Sequence, residues 1–207
     1  MDSDRTYTAF AGDSLIFSGD LTTMLLRTKE RIDGGERAPI LIFDDQTGGQ
    51  TDFDFRGTPD EVLSRIASHP LFAGADAQTA AKRGPGRPKL GVVSREVSLL
   101  PRHWDWLERQ RGGISVTLRR LVDEERKRNG GRESVRQAWE AAAKFMWTMA
   151  GNLPNFEETS RVLYARDQPR MDAFVEDWPV DIRDHLRRLV ARAVGIQNEA
   201  HRATGGE

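Results

Sequence analysis

The chain has 207 residues, with 31 Lys and Arg against 32 Asp and Glu, and no cysteine. That length suits two compact parts joined by something smaller, and the lack of cysteine excludes disulfides, thiolate chemistry and cysteine-ligated zinc. No run approaches the roughly 20 apolar residues that span a bilayer, and MDSDRTYTAF lacks the basic and apolar regions of a signal peptide, so a cytoplasmic protein with no membrane association is expected.

The near-zero net charge hides a strong asymmetry. Residues 82–128 hold thirteen Lys and Arg against six Asp and Glu, residues 1–81 hold seven against fourteen, and residues 129–207 hold eleven against twelve. A basic middle between an acidic head and a neutral tail points to a polyanionic partner.

In the head, YTAFAGDSLIF is two short apolar runs split by Gly12-Asp13, which predicts a hairpin. Asp20 then caps a helix in which Leu21, Met24, Leu25, Thr28 and Ile32 recur at helical spacing, and Gly34-Gly35 stops it. PILIFDD and TDFDF flank QTGGQ, a second predicted hairpin. Thr58-Pro59-Asp60-Glu61 carries the capping box and first-turn proline of another helix. The expected fold class is therefore α+β, with residues 1–73 a small acidic β-β-α-β-β-α domain. Asp44, Asp45, Asp52 and Asp54 lie around the second hairpin; they either converge on a divalent cation or keep a half-buried sheet solvated, and the second reading is the simpler one.

Residues 74–93 read as a flexible basic linker, since AGADAQTAA has too little apolar surface to order it and KRGPGRPKL alternates glycine and proline with charge. Lys82, Arg83, Gly86-Arg87-Pro88 and Lys89 resemble the AT-hook, whose Gly-Arg-Pro core lies in the narrow minor groove of A·T-rich DNA. Pro85 stands where that pattern has a second arginine.

Residues 94–128 read as strand, helix, glycine turn and helix. VSREVSLL alternates up to Pro101, RHWDWLERQ carries Trp104 and Leu107 on one side, Gly112-Gly113 make a turn, and Ser115 caps VTLRRLVDEERKR. Val97-Ser98-Leu99-Leu100-Pro101, Gly113-Ile114-Ser115 and Leu118-Arg119-Arg120-Leu121-Val122 resemble the ribbon-helix-helix family of DNA-binding domains. That resemblance implies a homodimer whose paired strands enter the major groove, with Ser98 and Arg95 or Arg102 near bases and the amides around Ile114 and Ser115 on phosphate. Glu96 would then face the groove as an anion. The longer run from Gly86 to Glu124, with ILIFDDQTGGQTDFDF, is similar to a bacterial family known only as a domain of unknown function.

Residues 129–207 read as a small helical bundle. Gly130-Gly131 predict a break before a helix whose stripe is Val135, Trp139, Ala142, Ala143, Met146 and Ala150, with Trp147 on another face. Shorter helices follow from Asn155 and Asp167, and Pro179 opens a long last helix. Asp181 and His185 are spaced to pair on one helix but have no third partner for metal or triad chemistry. With no GxSxG, phosphate loop, dinucleotide fingerprint or HExxH, neither an enzyme nor a cofactor or metal is expected.

Two functions follow. One is a dimeric DNA-binding protein, a transcriptional regulator or nucleoid-associated factor. The other is a protein-interaction module or scaffold without enzymatic activity, with a protein partner on the head or the helical part and the basic segment pairing with the acidic head.

Overall fold

The computed structural model describes residues 5–66 and 95–204. They form two compact units, one made of residues 5–66 with 131–204 and the other of residues 95–130. Where composition suggested an acidic domain and a separate helical domain, the sheet residues Phe10 and Phe43 share one core with Phe145, Met146, Ile182, Leu186 and Val190 from the helices.

In the first unit, strands β1 (Tyr7–Ala11), β2 (Ser14–Gly19) and β3 (Ile40–Asp44) form an antiparallel sheet in the order β2-β1-β3. The first hairpin is as predicted, with Gly12 at φ +55° in its turn. All five β1 residues are buried, so the central strand is covered on both faces. A register shift between Ala9 and Phe10 leaves Ile16 of β2 without a partner residue. Beside it, the Leu15 N–H donates to Asp181 Oδ2 at 2.7 Å.

The second predicted hairpin is only half formed. Its turn closes through Asp44 N–H to the Gly49 carbonyl (3.0 Å) and Thr51 N–H to the Ile42 carbonyl (2.9 Å), and an isolated bridge joins Phe43 to Gln50. The fourth strand expected over 51–55 does not follow. Arg65 instead donates to the carbonyls of Asp54 and Arg56, taking backbone acceptors that a ladder would use. The side chains still alternate, Phe53 and Phe55 half-buried and Asp52 and Asp54 exposed.

Helix α1 (Leu21–Asp33) begins at the predicted cap, where Asp20 accepts the Thr23 N–H at 3.0 Å, and ends at Gly34. Helix α2 (Pro59–Ile66) has its capping box in both directions: Thr58 N–H donates to Glu61 at 2.7 Å, and Glu61 N–H to the Thr58 hydroxyl at 3.3 Å. In the second unit, α3 (Pro101–Glu108) starts on its proline, and Gly112 and Gly113 turn the chain at φ +98° and +80°.

Helix α4 (Ile114–Ala150) contains the largest difference from expectation. One continuous helix runs through Gly130-Gly131, where the sequence predicts a break. Part of the reason is packing: a Cβ at Gly131 would stand 3.3 Å from Ala200 Cβ, so glycine admits the neighbouring helix. The predicted stripe is buried and Trp147 is exposed. Helices α5 (Phe156–Tyr164), α6 (Gln168–Phe174) and α7 (Val180–Thr204) complete the first unit. Asp167 caps α6 by accepting the Arg170 N–H, and the Trp178 indole donates to the Pro154 carbonyl at 2.6 Å. Among the described residues, no helix is long and apolar enough to cross a membrane.

Candidate nucleic-acid interface

Local sequence places the second unit's side chains as follows. Pro101 fixes the start of α3, and two left-handed glycines reverse the chain so that α4 begins at Ile114 with Thr117 N–H on the Gly113 carbonyl (3.1 Å). Leu107 and Thr117 are buried, and no other described residue of this unit is. Val97, Leu100, Trp106, Val116, Leu121 and Val122 remain 37–57% exposed. A helix pair this small cannot cover its own apolar side chains.

Arg95, Ser98, Arg102 and Ser115 are exposed and Ile114 is half-buried. The hook residues Lys82, Arg83, Arg87, Pro88 and Lys89 lie outside the described residues. The strand expected over 94–100 is a correction: residues 95–100 carry no strand. A lone strand has no ladder partner within its own segment, so its backbone bonds have nowhere to form in one copy. Two helices joined by a glycine turn follow, and the paired ribbon of the ribbon-helix-helix resemblance is not formed. Glu96 is exposed beside Arg95.

Exposed arginines recur along the pair, at Arg109, Arg111, Arg119, Arg120 and Arg126. Arg120 donates to Glu124 at 2.8 Å, an exposed i,i+4 pair of little energetic weight.

The first unit holds a polar cluster that periodicity alone did not predict. His185 is buried in α7, its ring edge-on to Phe10 and Phe145. Arg188 Nη2 lies 3.2 Å from His185 Nδ1; a guanidinium only donates, so Nδ1 accepts and the ring proton sits on Nε2. Nε2 stands 3.4 Å from Asp45 Oδ1, an electrostatic contact rather than a close hydrogen bond. Asp45 also accepts from the hydroxyls of Thr6 and Thr8, and its carbonyl accepts from Arg192 at 2.8 Å. Burial pushes the Asp45 carboxyl up, yet His185, Thr6 and Thr8 together hold it below the usual carboxylate range.

The suggested Asp181–His185 pair is therefore not made: Asp181 takes the Leu15 amide and His185 faces Asp45. Nor do the four hairpin carboxylates converge: Asp52 and Asp54 are exposed, as the solvating reading expects, while Asp44 and Asp45 are buried. Asp44 is buried and accepts from Arg5 and Thr47, Asp45 is buried in the histidine cluster, and Asp54 pairs with Arg56. Among the described residues no group of three or more His, Asp and Glu is placed to hold a metal ion. A signal for the cluster was available: His185 sits between Ile182, Leu186 and Leu189 on the apolar stripe of its helix, where a polar ring must find a buried partner.

These features define a mixed α+β protein with a three-stranded antiparallel sheet in a mostly helical chain. The chain belongs to the bacterial family DUF2239, described as an uncharacterized protein conserved in bacteria, which matches residues 6–190. No curated protein and no solved structure matches it.

Proposed function

We propose that the protein binds duplex DNA as a homodimer, as a transcriptional regulator or nucleoid-associated factor. The second unit docks on the duplex, and Lys82, Arg83, Arg87, Pro88 and Lys89 add affinity for an A·T-rich minor groove. The observation that carries the reading is the exposure of arginines from Arg95 to Arg126 on a helix pair that leaves six large apolar side chains uncovered. The arginines suit phosphate, and the apolar residues suit a second copy, which would also give residues 95–100 a ladder partner.

The competing reading has the basic segment neutralised by the acidic head. It is less well supported, because five of the head's carboxylates already pair with its own cations: Asp44 with Arg5, Asp33 with Lys29, Glu30 with Arg27, Glu36 with Arg31 and Asp54 with Arg56.

Fluorescence anisotropy with A·T-rich and mixed duplexes at two salt concentrations tests the proposal. Binding should weaken with a log–log salt slope of about −0.9 per phosphate neutralised. Absence of binding at low salt would overturn it. Light scattering with and without duplex reads the mass; a monomer under both conditions would remove the dimer.

A further inference from the structure

We propose that a cavity of about 580 Å³ in the first unit, lined by Arg27, Glu30 and Arg31 of α1 and by Leu15 and Ile16 of β2, binds a small organic monocarboxylate with an apolar body. Arg27, Glu30, Arg31 and Gly34 stand at i, i+3, i+4 and i+7, so they share one side of the helical turn. Consecutive residues of a regular strand face opposite sides, yet Leu15 and Ile16 both line the cavity. The extra residue of the β2 bulge is Ile16, and a bulge re-aims a side chain in this way. Gly34 and Gly35 leave that end of the cavity without side chains; Gly35 is held at φ +92°, with nothing within 4 Å of the place a Cβ would take.

Arg31 is anchored through one nitrogen. Its Nε donates to Glu36 Oε2 at 2.8 Å, and Glu36 Oε1 in turn accepts the Arg37 and Ala38 amides, both at 2.9 Å. The Ala38 amide, the Arg31 guanidinium and the Arg37 amide keep the Glu36 carboxyl below its usual range, so the anchor stays ionised at neutral pH. Among the described residues nothing takes the two Nη groups of Arg31, and a guanidinium offers such a pair to the two oxygens of a carboxylate. Arg27 is balanced by Glu30 at 3.1 Å. Two arginines and two glutamates thus line the cavity with no formal net charge, which suits one carboxylate and not a doubly charged phosphate. Leu15 and Ile16 give the rest of the ligand an apolar wall. The proposal holds whether or not the protein binds DNA.

Phenylpropionate, its uncharged amide and acetate separate the two halves of such a ligand. Titrated into the isotope-labelled full chain, phenylpropionate should shift the backbone amide signals of Ile16, Gly34 and Gly35 saturably at millimolar concentration. Phenylpropionamide, which lacks the charge, acetate, which lacks the body, and inorganic phosphate should each bind about tenfold more weakly. Arg31→Gln should weaken phenylpropionate binding by about tenfold, whereas Arg37→Gln, at an exposed arginine that does not line the cavity, should leave it unchanged. The same spectra show that each variant is folded. Absence of a saturable shift at those three amides would overturn the proposal, and so would equal binding of the amide, acetate or phosphate, or an Arg31→Gln variant that binds phenylpropionate as tightly as the parent.

Discussion

His185 Nε2 faces Asp45 Oδ1 at 3.4 Å inside the core, joining the last helix to the end of β3. Replacing Asp45 with Asn removes the anion while keeping the shape; His185→Ala leaves the carboxylate buried beside a void. Each should lower unfolding free energy by about 2 kcal/mol, the first by weakening the hydrogen bonds that a charged acceptor draws from Thr6 and Thr8, the second by opening a cavity. Urea denaturation measures this, and a double variant losing much less than the sum of the two singles would confirm that the residues are coupled.

The same carboxylate sets an acid limb. Its folded pKa lies below the ordinary value, so the folded state binds fewer protons than the unfolded state around that range. The contribution is fully present above the ordinary carboxylate range near pH 3.9 and is lost as pH falls through and below it. Thermal melts from pH 7 to pH 2 should show a steeper acid loss in the parent than in Asp45→Asn.

Gly48 sits at φ +64°, and a Cβ there would overlap the Ala141 backbone of α4. Gly48→Ala adds both strain and a clash, so it should cost more than about 2 kcal/mol. Gly130→Ala, with open space and no positive φ, should stabilise by about 0.5–1 kcal/mol. Calorimetry of the two variants compares a glycine required by space with one that is not.

On the DNA reading, Arg102→Glu and Arg95→Glu should each weaken duplex binding and lower the salt slope by about one. Glu96→Gln should tighten binding, because it removes an anion next to Arg95. Titrations at several salt concentrations check all three, and an unchanged slope in both arginine variants would place the duplex elsewhere.

Most local structure was legible in the residues. Asp20, Thr58-Pro59 and Pro101 start their helices, and Gly12 and Gly112-Gly113 turn the chain, because caps and positive φ angles depend on neighbours in sequence. The misses are those decided by distant partners. TDFDF alternates as a strand should, but Arg65 takes its carbonyls; Gly130-Gly131 read as a stop, yet the helix continues and Ala200 packs beside the second glycine. Asp44 and Asp45 look like surface charge until Arg5, Thr8 and His185 arrive from elsewhere in the chain. On the second unit, sequence placed the exposed arginines, but it could not supply the strand's partner.

The hydrogen bond from Leu15 to Asp181 has a consequence for the protein at high concentration. Strand β2 is one of the two outer strands of the sheet, and an outer strand with free amides invites another chain to extend the ladder. Asp181 occupies one of those amides with a carboxylate, and the bulge at Ile16 bends the strand beside it, so an incoming strand meets a negative charge and a broken register. Asp181→Ala would keep the core and expose that amide, turning a quiet border into a nucleus for aggregation that turbidity on gentle heating would register.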